Sequence, residues 1–228
     1  MHPRDDSGTH DLRQEICRVG RSLFDRGFVH ATAGNISARL SADQGGGFLI
    51  TPTDACLGQL EPQRLARVAA DGLQISGDPA SKTLALHRRI YGADPVARCV
   101  IHTHSTHLVA LTLQGVWCAA DVLPPITPYY VMKVGHVPLI GYHRPGDPAV
   151  ADRVAEAVAG GLQRGTPLRA VLLDRLGPTV WHATPAAAMA TLEELEETAK
   201  LWLLVQPRPQ PLTELQIDEL RRVFGVCW

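Results

Sequence analysis

Between Asp11 and Phe28 the apolar residues Leu12, Ile16, Val19, Leu23 and Phe24 recur at steps of three and four. This is the stripe of an amphipathic helix with one buried face, and Gly27 offers it a stop. The pattern then changes. Ile36, Ala38 and Leu40 alternate after Gly34-Asn35, and a glycine run from Gly45 to Gly47 leads into Phe48-Leu49-Ile50, which reads as a strand, a turn and a second strand. Asp71-Gly72 marks the tip of a further strand pair. A helical period returns from Lys82 to Tyr91 through Leu84, Leu86, His87 and Ile90. Cys99-Val100-Ile101 is short, apolar and β-branched, a buried strand that delivers His102 to a sheet edge.

The stretch VLPPITPYY is too rich in proline for regular structure, since proline lacks an N–H and restrains its neighbour; an ordered loop is expected. After Val137 to Ile140, RPGDP is turn-like and Pro148 to Gly160 has a helical period. Ala170 to Leu173 and Thr179 to Trp181 read as two more strands. Thr184 to Val205 reads as a long helix, with Thr184 as N-cap, Pro185 at the first helical position, and Glu193, Glu194, Glu196 and Glu197 on a solvated face. No internal repeat and no linker interrupts the chain, so residues 1–228 are expected to form one layered α/β domain.

Composition narrows the class. A net charge of -1 and an apolar fraction of 45% belong to an ordinary globular protein and argue against nucleic acid or another polyanion as partner. Cys17, Cys56, Cys99, Cys118 and Cys227 are odd in number and contain no C-x-x-C pair, so buried reduced thiols are expected rather than a disulfide framework. The opening MHPRDDSGTH has no apolar leader core, and no run approaches the ~18 apolar residues of a membrane helix. A cytoplasmic protein without a membrane partner is the expectation.

His102-Thr103-His104 is the most informative local feature. Residues i and i+2 of a strand share a face, so both imidazoles can reach one metal ion, although H-x-H also occurs as a plain polar pair. His107 is expected to face away or to bond locally. A second feature is a set of polar loops: Gly34-Asn35, Thr51-Pro52-Thr53-Asp54, and Gly77 to Lys82 before a helix. Free backbone amides, hydroxyls, a lysine and a helix N-terminus suit a phosphate; ordinary turns with an N-cap at Ser81 fit the same residues.

The order of the motifs adds what no single one carries. GNIS at Gly34 to Ser37, ITPT at Ile50 to Thr53, SGDPASK before a helix carrying His87, VIHTHSTHLVAL at Val100 to Leu111, DVLPPITPYYVM at Asp121 to Met132, YHRPGDPAVAD at Tyr142 to Asp152 and TLEELEETAKL at Thr191 to Leu201 resemble the class II aldolase/adducin family. LPPITPYY, RPGDP and EELEETAKL resemble in particular its 3-oxo-tetronate 4-phosphate decarboxylase branch, which is similar to fuculose-phosphate aldolase. The resemblance implies a three-layer αβα fold with a central, mainly antiparallel sheet, a homotetramer with sites at subunit interfaces, and zinc or another divalent metal. It places Asn35, Thr53, Ser81 and Lys82 on the substrate phosphate, His102 and His104 on the metal, and Tyr129 or Tyr130, with Tyr130 preferred, near the reacting carbon.

The implied reaction is the loss of CO2 from a phosphorylated 3-oxo sugar acid to give dihydroxyacetone phosphate. Two positions depart from the family pattern. Thr83 stands where relatives carry an acid/base glutamate, and its hydroxyl is too weak an acid to shuttle a proton near neutrality. Leu176 stands where relatives carry a third metal histidine. Asp174, on the same strand face as Leu176, is the candidate to fill that gap, and His182 is a poorer one. These departures leave open an aldolase acting on another sugar phosphate, or an impaired member with a structural or regulatory role.

Overall fold

The computed structural model describes residues 7–228; part of the N-terminal stretch read above for a leader lies outside them. Helix α1 (Ser7–Asp25) begins earlier than the apolar stripe alone indicates. It ends because Gly27 takes φ +76, so that the Gly27 amide donates to Phe24 and the Phe28 amide to Leu23, a Schellman closure that satisfies carbonyls of the last turn.

Eight strands follow: β1 (Asn35–Arg39), β2 (Phe48–Ile50), β3 (Ala66–Val68), β4 (Gln74–Ser76), β5 (Cys99–His102), β6 (Leu139–Ile140), β7 (Ala170–Leu173) and β8 (Gly177–His182). They form one sheet in the order β4-β3-β2-β1-β5-β8-β7-β6, antiparallel throughout except for the β6–β7 pair. The remaining helices are α2 (Leu84–Ala93), α3 (Thr106–Gln114), α4 (Pro148–Gln163), α5 (Pro185–Leu204) and α6 (Glu214–Phe224).

Alternation along the strands divides the core. Ile36, Ala38, Cys99, Ile101, Ala170, Leu172 and Val180 join one apolar cluster with residues of α1, α3 and α5, while Val100, Val171, Leu173 and Trp181 join a second with residues of α2 and α4. Period-two side chains thus feed both faces, and the result is the three-layer arrangement expected. Within the second cluster the buried Trp181 donates its indole N–H to Asp94 at 3.0 Å. Trp181→Ala is expected to cost about 3–5 kcal/mol, read as a lower urea midpoint with an unchanged slope.

Three expectations need correction. β5 lies between β1 and β8 in the middle of the sheet, so His102 stands at the end of a central strand and not on an edge. Glu196 is not solvated: it is 7% exposed and accepts from the His107 and Leu108 amides and from His107 Nδ1, serving the first turn of α3 from another helix. His107 accordingly faces away from His102, but its partner lies 89 residues away. Helices α3 and α6 carried no clear sequence signal: THLVALTLQ is too apolar to show a stripe, and α6 buries Ile217 alone among its residues. The VLPPITPYY segment is irregular through Thr127, turns helical at Pro128 and Tyr129, and continues into a π-helix at Tyr130–Val134.

Candidate active site

Because neighbouring central strands run antiparallel, the start of β1, the ends of β2, β5 and β7 and the start of β8 gather at one end of the sheet. Asn35 lies opposite His102, and His102 opposite Thr179. Side chains directly across an antiparallel pair share a face, so Asn35, His102 and Thr179 all turn toward the layer of α2 and α4, beneath the residues that open α2.

The His102 ring is held by its Nδ1, 2.9 Å from the Pro178 carbonyl and 3.1 Å from Thr179 Oγ1. A carbonyl only accepts, so Nδ1 carries the proton and Nε2 presents a lone pair. Burial, reinforced by His104, pushes the His102 pKa down to about 3, which keeps the ring neutral. His104 lies past the end of β5, yet the chain returns its ring to 5.2 Å from that of His102, at 70°. The two rings are neighbours as expected, although only His102 lies within the strand. Burial and then His30 lower the His104 pKa, and the His30 ring lies 6.5 Å from that of His104.

His102 lines a cavity with Lys82, Thr83, Leu173, Asp174 and Leu176, roofed by His143, Arg144 and their neighbours. Leu176 reaches this position through the β7–β8 turn, where Arg175 takes φ +59 and Gly177 φ +120. A Cβ on Gly177 would lie 2.3 Å from the Thr103 carbonyl oxygen; glycine there lets the turn lie against the backbone between the two histidines. Asp174 is fixed by its amide, which donates to Ile140 at 2.9 Å. Thr83 precedes the first turn of α2 and contributes no side-chain cap; its hydroxyl shares a 2.9 Å bond with Ser81.

The polar loops are zipped together. The Ser81 amide donates to Thr51 and the Thr53 amide to Pro79, on either side of a Pro52–Ala80 bridge. Ser81 is nearly buried and Lys82 stands on the cavity wall. Thr53 instead lines an adjoining depression with Thr32, Asp54 and Asp78. Asn35 Oδ1 is buried without a hydrogen-bond partner.

Tyr130, preferred from the sequence, is fully buried in the first apolar cluster and its hydroxyl bonds Asp121. It lines no part of this cavity, and burial raises its pKa well above that of a free tyrosine. Tyr129, the alternative, is 61% exposed. His182 stands opposite Cys99, at the far end of β8 from the site.

Two neutral imidazoles suit a divalent metal, but a catalytic site ordinarily has three protein ligands. Among the described residues no three His, Cys, Asp or Glu side chains could hold an ion as they stand. Asp174 shares the cavity without completing a set, so the donors present fit the metal only in part.

Sequence reasoning missed His30, His87, His143 and Arg144. His30, His143 and Arg144 come near the site only through tertiary structure, and no period marks them. His87 had a signal, a histidine in an apolar helical stripe. Its Nδ1 bonds Ser37 Oγ at 2.7 Å, and Ser37 in turn bonds the Tyr91 hydroxyl at 2.8 Å.

Comparison with known proteins adds an independent line. The family model described as class II aldolase and adducin N-terminal domain matches residues 14–203. A 3-oxo-tetronate 4-phosphate decarboxylase of Cupriavidus necator is 57% identical over 95% of this chain and 97% of its own. One of the same name from Escherichia coli is 44% identical over 92% of this chain and 95% of its own. The solved structure of YgbL from Escherichia coli superposes with a TM-score of 0.85 at 42% identity, covering 94% of this chain and 100% of that one.

Proposed function

The chain belongs to the class II aldolase and adducin family and is a carbon–carbon lyase, and from that premise we propose that it decarboxylates a 3-oxo-tetronate 4-phosphate to dihydroxyacetone phosphate and CO2. The observation that carries this reading is 57% identity, over 95% of this chain, to a protein of that name. The cavity joining His102 to Lys82 at the start of α2 supports it.

In this reading the phosphate lies at the N-terminus of α2, where Ser81 and Lys82 add a hydroxyl and a cation to the helix dipole. Asn35, opposite His102, orients the adjoining end of the substrate, and Thr53 extends the phosphate loop from its neighbouring depression. The 3-oxo group makes the C1–C2 bond of the acid labile: its electrons move into the C3 carbonyl, CO2 leaves, and C2 takes up one proton. A divalent metal, when bound, supplies polarisation of that carbonyl. His102, its Nδ1 proton committed to Pro178, is oriented to present a lone pair at the cavity. Thr83 positions Ser81 by its hydrogen bond and does not act as an acid, so proton delivery falls to water or to Tyr129 from elsewhere in an assembly.

We propose a homotetramer as that assembly. Tyr129, Leu204, Leu215, Val223 and Phe224 are exposed apolar or aromatic groups near the C-terminal half of the chain, a surface a lone subunit would leave in water. Light scattering is expected to give about four times the chain mass; a monomer at micromolar concentration contradicts the assembly.

The reaction is tested by following dihydroxyacetone phosphate from 3-oxo-tetronate 4-phosphate beside its formation from fuculose 1-phosphate. Product from the acid alone supports decarboxylation; product only from the sugar phosphate identifies an aldolase. A second reading, an impaired member with a structural role, is favoured by Leu176 and Thr83 on the cavity wall, and absence of product from both substrates supports it.

A further inference from the structure

We propose that Arg144 reads the substrate's carboxylate and so makes this cavity selective for a phosphorylated sugar acid over a neutral sugar phosphate. Its placement starts from the sequence RPGDP. Proline is favoured at the second position of a type II turn and glycine at the third, where φ is positive. In Arg144-Pro145-Gly146-Asp147 the Gly146 φ is +80, and the Asp147 amide donates to the Arg144 carbonyl at 3.1 Å. Asp147 then caps α4, its carboxylate accepting from the Ala149 amide at 3.0 Å, with Pro148 in the first turn. The Arg144 backbone is therefore held by a turn locked to a helix. Its side chain is uncommitted: among the described residues no carboxylate forms an ion pair with the Arg144 guanidinium, although Asp147 and Asp174 line the same cavity. The neighbouring His143, by contrast, is tied through Nδ1 to the Gly141 carbonyl at 2.7 Å.

The cavity joins the openings of two helices. Lys82 and Thr83 precede α2, Arg144 and Asp147 precede α4, and all four line it together with apolar Leu86, Leu173 and Leu176. His102, 4% exposed, presents its uncommitted Nε2 to the same space. A substrate with a phosphate at one end and a carboxylate at the other carries two anionic groups, and Lys82 and Arg144 bring two cations from separate elements. With the phosphate at Ser81, Lys82 and the α2 N-terminus, the reading on which this inference rests, Arg144 is left for the acid. A guanidinium matches a carboxylate through two parallel N–H···O bonds, a fit an ammonium lacks. The exposure of Arg144 suits the chemistry. As CO2 leaves, negative charge passes from the carboxylate to the C3 oxygen, so a strong grip on the carboxylate would stabilise the bound acid more than the transition state. A cation screened by water holds the acid weakly enough to let it go. Arg144 thus determines specificity, and its loss should fall on KM.

The test uses ligands that cannot lose CO2. Erythronate 4-phosphate and threonate 4-phosphate carry a hydroxyl in place of the 3-oxo group; erythritol 4-phosphate and threitol 4-phosphate differ from them only in a CH2OH where the acids have a carboxylate. Binding of each to the full-length protein is measured by calorimetry. The wild-type protein is expected to bind at least one acid roughly fivefold or more tightly than its alditol, a margin that shrinks with added salt. Arg144→Gln is expected to bring that ratio below about twofold while alditol affinity stays near the wild-type value, Arg144→Lys to keep part of it, and Lys82→Gln to weaken acid and alditol alike. Circular dichroism shows whether each variant is folded; Arg144 is exposed, so its replacement does not threaten the core. An acid preference that survives Arg144→Gln, equal weakening of acid and alditol by Arg144→Gln, no preference in the wild-type protein, or no binding of any of these ligands overturns the proposal. Decarboxylation is scored separately on the 3-oxo acid. Turnover without an Arg144-dependent preference leaves the reaction standing and removes this inference, whereas that preference without turnover supports the inference and removes the reaction.

Discussion

Thr83→Glu and Leu176→His made together are expected to raise turnover of a 3-oxo-tetronate 4-phosphate by ~10²–10⁴-fold over Leu176→His alone, the usual contribution of a placed general acid. Both positions line the cavity that holds His102, so each new side chain faces the same space. A carboxylate at position 83 also stands at the opening of α2, where the helix N-terminus favours negative charge. Neither change alone should approach this gain. A glutamate beside an incomplete donor set has no stabilised carbanion to protonate, and an added histidine without the acid leaves protonation to water. The two effects should therefore be strongly non-additive in kcat/KM, measured at matched metal content. Additive or negligible effects contradict the roles given to Thr83 and Leu176.

Acidification in the presence of chelator is expected to destabilise the fold well above the range where carboxylates titrate. Burial holds the pKa of His87 and that of His102 at about 3, against an ordinary 6.5. In the unfolded chain both imidazoles take up protons as the pH falls through 6.5; in the folded chain they stay neutral until near 3. The unfolded state thus binds more protons across this window, so stability is present above it and is lost as pH falls through it. Each group contributes up to about 1.4 kcal/mol per pH unit. Urea midpoints measured between pH 7 and pH 5 should fall steeply, and His87→Gln should flatten the slope by about half, one of the two buried imidazoles being removed. A profile that stays level over that range contradicts the burial of these rings.

Much of the fold was legible because its central strands and most helices obey simple periods. The alternation of Ile36, Ala38 and Leu40 and the stripe from Leu12 to Phe24 each reappear as a buried face. What was not legible depends on contacts distant in sequence. Glu196 reads as a surface charge in a run of glutamates, and only the folded chain brings the first turn of α3 to it. β5 looked like a strand leading to an edge, and its central place follows from pairing with β1 and β8, which a local pattern does not encode. At the site, several residues sharing a cavity with His102 lie in the ordered motifs, Arg144 among them within RPGDP although the motif gave it no role, whereas His30 carries no periodic or motif signal. The sequence does not separate the adjacent Tyr129 and Tyr130, because they differ in burial alone, and the π-helix at Tyr130–Val134 takes the Tyr130 ring into the core while Tyr129 stays exposed.

The proposed reaction of this chain is the release of CO2 from a phosphorylated 3-oxo acid. Its most direct test is 13C NMR of the purified metal-supplemented protein incubated with 3-oxo-tetronate 4-phosphate labelled at the carboxyl carbon. The expected result is that the carboxyl resonance is replaced by labelled CO2 and bicarbonate, faster than in a protein-free control, with one unlabelled dihydroxyacetone phosphate formed per label released. A carboxyl resonance that decays no faster than in the control, or label retained in a sugar-acid product, contradicts it.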